Sequence, residues 1–162
     1  MPSGLAHRRI SAVVLVLVLY LTFTFYDSLI LWLGPDPTFE YLLLFCLAFF
    51  CGTVLLSPDL DLIDSDPAKS WGIARFIWRP YARLFKHRGV SHMPVVGTLT
   101  RIVYLSLILY VLGTVAESLL GLTLPISMLD LHHFWVPETA CVLAGLVGAD
   151  MIHLVADRFF SP

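Results

Sequence analysis

The sequence predicts an all-α polytopic membrane protein with four transmembrane helices and a short interfacial helical segment between spans two and three. Three observations predict it. Of 162 residues, 58% are hydrophobic and 14% charged, whereas soluble domains are about 45–50% apolar and about 25% charged. The apolar residues gather into long runs, the pattern of segments solvated by lipid. Threading those runs through a bilayer in alternation leaves every Lys and Arg on one side, which is the bias that sets membrane orientation.

The first run, ISAVVLVLVLYLTFTFYDSLILWLG, predicts a span over about residues 10–33. It exceeds a signal-peptide core and no small-x-small cleavage site follows it, so it is expected to be retained. GPDP at 34–37 is a turn with two prolines. The second span covers about 39–57 and stops at Pro58, the third about 94–120, and the fourth about 138–158. Gly, Ala and Cys in the fourth suit close helix packing. No repeat or second domain interrupts this, so residues 1–162 form one membrane-embedded domain. Both termini and the 58–93 segment then share a side with the cations, which makes that side cytoplasmic. The opposite loops carry Asp36, Glu40, Asp130 and Glu138.

Between spans two and three, KSWGIARFIWRPYARLFKH interleaves Trp71, Phe76, Trp78, Tyr81 and Phe85 with Lys69, Arg75, Arg79, Arg83 and Lys86. Arg75, Arg79 and Arg83 stand four apart, one stripe on a helix, and Pro80 divides two short helices. Such a segment lies among lipid headgroups. The same composition also describes a nucleic-acid surface, but beside four spans the expected partner is membrane lipid and no nucleic acid. Cys46, Cys51 and Cys141 lie inside apolar runs without metal or redox spacing and read as packing residues. No oligomeric state is predicted.

The polar residues converge. His7 precedes span one, Asp59 and Asp61 follow span two, and His87 and His92 in HRGVSH precede span three. Asp150, His153 and Asp157 end span four, spaced to share one helix face. Topology brings all of them to the cytoplasmic membrane edge. Polar groups at membrane depth need partners, and the simplest common partner of imidazoles and carboxylates is a divalent metal. One or two ions are expected, with Zn²⁺ first and Mn²⁺ or Fe²⁺ as alternatives. The expected ligands are His7, Asp59, Asp61, His87, His92, Asp150 and His153, with Gly89 permitting the bend in HRGVSH. Arg88 and Arg101 are suited to hold an anion, and Asp157 or Asp61 to take a proton. Each also has a plainer role: His7 as a headgroup residue, Asp59 and Asp61 as caps, Ser91 as an N-cap, Asp157 as a partner of Arg158, Arg101 as a snorkelling cation. His132 and His133 fall on the other side of the membrane and are excluded.

The combination of SGLAH, PDLD, HRGVSH and DMIH resembles the LexA-regulated, membrane-bound metal-dependent hydrolases of the bacterial inner membrane and the related metal-binding membrane proteins, over most of the chain. The resemblance implies a metal centre on His7, Asp59, Asp61, His87, His92, Asp150 and His153. The functional expectation is a metal-dependent hydrolase in the inner (plasma) membrane, acting on a phosphoester of a lipid or amphiphile. Arg88, Arg101 and Asp157 are its catalytic candidates. The alternative is a non-catalytic metal-binding membrane protein, in which the ion staples helices together or is sensed.

Overall fold

A computed structural model describes residues 4–33, 38–85, 89–121 and 137–160. Among these the chain is all-helical. The longer elements are α1 (Gly4–Thr24), α2 (Tyr26–Leu33), α3 (Thr38–Val54), α4 (Asp66–Ser70), α5 (Arg79–Leu84), α6 (Val96–Leu120) and α7 (Pro137–Phe160). Three 3₁₀ segments, Pro58–Asp61, Gly72–Trp78 and Val90–His92, punctuate the middle of the chain.

Among the described residues three helices, not four, are long and apolar enough to cross a membrane: Phe39–Asp61, Val96–Leu120 and Pro137–Phe159. The expected first span corrects to a shorter apolar helix, Arg9–Thr24, a turn at Phe25 and then α2. At 1.5 Å per residue the apolar part of α1 reaches roughly 24 Å, short of the ~30 Å hydrocarbon core. At the break the Phe25 N–H still donates to the Leu21 carbonyl at 2.9 Å. The Thr22 and Thr24 hydroxyls donate back to the carbonyls of Val18 and Tyr20, each at 2.8 Å, and such back-bonding loosens and bends a helix.

The main packing contact joins α3 to α7. A methyl group at Gly145 would lie 2.4 Å from the Phe45 carbonyl oxygen, and one at Gly52 would lie 2.8 Å from the Ala149 Cβ. Ala48, Phe49, Leu146 and Ala149 are buried along this seam. Small residues allow the backbone approach that binds helices where lipid offers no hydrophobic drive. The seam carries the last turns of α7 past the end of α3, where Asp59 follows.

A second cluster ties the 58–85 segment to the helix ends. Leu60, Ala68, Trp78 and Tyr81 are fully buried. Trp78 meets Trp71 edge-on at 5.3 Å and Tyr81 at 5.6 Å. Trp71 Nε1 donates to the Leu55 carbonyl at 2.8 Å, Tyr104 donates its hydroxyl to the Ile77 carbonyl, and the Tyr81 and Thr100 hydroxyls bond at 3.1 Å. Two expectations change here. Trp78 and Tyr81 face inward instead of joining a headgroup belt. The residues 72–78 form a 3₁₀ helix with about 120° per residue, which turns Arg75 off the line of Arg79 and Arg83. Pro80 falls in the first turn of α5, where its missing N–H is not needed, so the division comes just before Arg79.

Gly145→Ala is expected to lower stability by about 1–3 kcal/mol, because the added methyl meets backbone that cannot rotate away. An SDS titration of the purified protein in mild detergent measures this.

Candidate metal centre

The centre is assembled from two turns and one helix. The first 3₁₀ turn, Pro58–Asp61, closes with Leu62 N–H donating to the Asp59 carbonyl at 3.0 Å. Its apolar residues Pro58 and Leu60 are buried, and Asp59 and Asp61 turn toward His92. The last 3₁₀ turn, Val90–His92, is held against the first by Ser91, whose hydroxyl donates to the Pro58 carbonyl at 2.7 Å. The last turns of α7 supply His153.

Asp59 stands between the two histidines. Its Oδ1 lies 3.5 Å from His92 Nε2 and 3.4 Å from His153 Nε2, and one donor atom from each of the three residues lies within 4.8 Å of the others. The spacing tests whether these residues fit a metal. Ligands bound at about 2.1 Å and tetrahedral angles sit about 3.4 Å from one another, whereas good hydrogen bonds run about 2.7–3.2 Å. The donor set of two imidazoles and one carboxylate suits Zn²⁺ as well. Behind His92, Asp61 Oδ2 lies 3.4 Å from Nδ1. A carboxylate on the far nitrogen fixes the tautomer that leaves Nε2 free to ligate, as outer partners of metal-bound histidines do. Asp157 Oδ2, one turn beyond His153, lies 3.8 Å from its Nε2. The side chains of His92 and His153 are 6% and 8% exposed and those of Asp59 and Asp157 17% and 14%. The cluster therefore opens to its surroundings on the carboxylate side.

Burial by itself would depress the His92 pKa; the neighbouring carboxylates of Asp59 and Asp61 outweigh it and raise the value to about 9. Without an ion, the site holds a proton on this imidazole at neutral pH.

Asp150 and Arg101 are placed differently from the expectation. Asp150 Oδ2 accepts from the Arg101 guanidinium and from the Thr98 hydroxyl. It is thus held by α6 and lies outside the Asp59, His92 and His153 trio. Asp150 Oδ1 is buried with no hydrogen-bond partner among the described residues. Arg101 is 1% exposed, and its second nitrogen donates to the Ser91 carbonyl at 2.9 Å. Its fork is occupied by Asp150 and Ser91 and is not presented to an outside anion. The physical reason is that a buried guanidinium requires a buried carboxylate. His87 and Arg88 lie outside the described residues, as does the side chain of His7.

Three further residues carry this arrangement. A methyl group at Gly97 would lie 2.2 Å from the Ser91 carbonyl oxygen, so only glycine lets α6 begin beneath that peptide. Val95 has φ +65° and ψ −58°, with Val96 N–H donating to the Pro94 carbonyl at 2.7 Å. That is a γ-turn, strained for a β-branched residue. Thr98 completes the Asp150 pair. The PVVGT stretch offered one signal, a glycine at the helix start; nothing in it marked Val95.

Residues 2–162 match the family described as uncharacterized metal-binding protein (DUF2227). The chain belongs to this family. A relative from Aquifex aeolicus (strain VF5), described as an uncharacterized protein, is 35% identical over 130 residues, which are 73% of this chain and 90% of that protein. No solved structure matches. The description of DUF2227 states metal binding and names no hydrolase, and the His and Asp cluster agrees with the metal-binding part.

Two outcomes are expected. Because an ion must displace the His92 proton, apparent metal affinity should rise about tenfold per pH unit from neutrality and level off above about 9. Competition with a metallochromic indicator measures this, and a flat profile would remove His92 from the ligands. Arg101→Leu should cost about 3–5 kcal/mol by stranding the Asp150 charge, and Arg101→Leu with Asp150→Leu should recover most of that loss. Unfolding of both variants decides it.

Proposed function

We propose that the protein is a metal-binding membrane protein in which one Zn²⁺, held by Asp59, His92 and His153, staples three parts of the chain at the cytoplasmic edge of a bacterial inner membrane. The parts joined are the turn after α3, the turn before α6 and the end of α7. One observation carries this reading: a single Asp59 oxygen flanked by two imidazole nitrogens at 3.5 and 3.4 Å. The metal-binding description of DUF2227 supports it. In this reading α1 and α2 cross the membrane together as one bent span. That restores an even number of crossings and puts both termini on the cytoplasmic side with the cations. A Ser65→Cys protein should then be labelled from the cytoplasmic face of the membrane only.

The second reading, a hydrolase acting on a lipid-like phosphoester, is favoured by Asp157, whose carboxylate lies beside His153 on the open side of the cluster. There Asp157 would accept a proton from water activated by the ion.

Metal analysis of the purified protein, followed by unfolding and phosphoester turnover with and without chelator, separates the two. Under the stapling reading His153→Ala loses bound metal. Asp61→Asn weakens binding by about 10–100-fold through the orientation of His92. Chelation lowers stability, and turnover is absent. Chelator-sensitive turnover that disappears in Asp157→Asn, with metal still bound, would transfer the protein to the hydrolase reading. A His153→Ala protein with unchanged metal content would sink both.

A further inference from the structure

The segment joining α3 to α6 has an outer face that the metal centre does not use. Its inner side is the fully buried cluster of Leu60, Ala68, Trp78 and Tyr81. On the outer side Ile73 is 95% exposed, Phe76 57% and Leu84 71%. Lys69, Arg75, Arg79 and Arg83 are exposed with them. The helix types set this grouping. Residues three apart eclipse on a 3₁₀ helix, which puts Ile73 and Phe76 in one row leading to Arg79. In α5, residues four apart share a face, which groups Arg79 with Arg83 and Pro80 with Leu84. No Asp or Glu occurs from Pro67 to Arg88, and among the described residues none of the four cations is paired with a carboxylate.

This face is fastened to the chain just beyond α3 and to the first third of α6. Trp71 holds the Leu55 carbonyl just beyond α3, and Tyr104 of α6 holds the Ile77 carbonyl. With α3 and α6 read as spans, those bonds hold the segment against the ends of α3 and α6 that Asp59 and His92 also occupy.

We propose that this outer face binds the anionic surface of the membrane. Ile73, Phe76 and Leu84 enter the boundary between headgroups and acyl chains, and Lys69, Arg75, Arg79 and Arg83 meet lipid phosphates. Charge complementarity selects the occupant: a surface with four exposed cations, no acidic residue in its sequence and large exposed apolar side chains fits a negatively charged bilayer. The proposal rests on the membrane reading of α3 and α6 and is independent of the metal.

The test uses the full-length protein in nanodiscs of phosphatidylcholine, with or without a third of the lipid replaced by phosphatidylglycerol. A bimane is placed at Ile73→Cys after Cys46, Cys51 and Cys141 are changed to Ala. The expected result is blue-shifted emission quenched by lipid-borne nitroxide, more strongly with phosphatidylglycerol. The preference should weaken as salt rises, since screening shortens the reach of the cations. Each cation near an anionic surface contributes roughly fivefold in partitioning, so neutralising Arg75, Arg79 and Arg83 to Gln together should reduce the preference by up to about 100-fold. Unchanged metal affinity in that variant reports an intact fold. Should the variant lose metal, the difference between the two disc compositions for the Ile73→Cys protein alone decides. A water-exposed label in both discs overturns the proposal, as does an undiminished preference in the folded triple variant. A label shielded only after a soluble acidic protein is added assigns the face to that protein instead and also overturns it.

Discussion

The buried pair of Arg101 and Asp150 is the interaction on which the centre depends. A guanidinium and a carboxylate in an apolar interior are costly to desolvate and persist only when each satisfies the other. Here Arg101 bonds Asp150 on α7 and the Ser91 carbonyl in the last 3₁₀ turn, while Thr98 adds a second donor to Asp150. Ser91 precedes His92, and His153 lies one helical turn beyond Asp150. One side chain from α6 thereby links the turn that carries His92 to the helix that carries His153. Gly97 belongs to the same arrangement, because its missing side chain lets α6 start under the Ser91 peptide.

Four carboxylates occupy this corner, and their surroundings give each a different task. Asp59 faces both imidazoles through one oxygen. Asp61, two residues on, reaches the opposite edge of the His92 ring. Asp150 neutralises a buried cation. Asp157 lies beside His153 at the open side. Identical side chains thus meet, in turn, two imidazoles, the far edge of one imidazole, a buried guanidinium and the open side of the cluster. The α3–α7 seam makes this possible, because contact between glycine-bearing backbones brings the end of α7 level with the turn that follows α3.

Much of this was legible in the sequence, for reasons that can be stated residue by residue. The helical character of the described residues and the long apolar runs follow from hydropathy, and the closeness of PDLD, the end of HRGVSH and DMIH was expected from a count of four crossings, of which three have helices of spanning length among the described residues. Other features depend on details that hydropathy does not register. The turn at Phe25 falls inside a long, largely apolar run, beside threonines whose hydroxyls bond back to the helix carbonyls. The inward turn of Trp78 and Tyr81 comes from a 3₁₀ winding between Gly72 and Trp78 that cation spacing alone reads as α. The direction of Arg101 depended on which carboxylate lay within its reach, and two different helices had to be docked before that was decided.

By itself, then, the sequence determined that the chain is helical, largely lipid-compatible and furnished with imidazoles and carboxylates at one end of its helices. Residue type and periodicity are local properties, and those conclusions need nothing more. Only the tertiary structure decided that Asp59 lies between His92 and His153, that Asp61 stands behind His92, and that Asp150 belongs to Arg101. Spacing along a helix gives the angle of a side chain about its own axis. Which neighbour it meets is set by how closely a second helix approaches, and here glycines at 52, 97 and 145 set that approach.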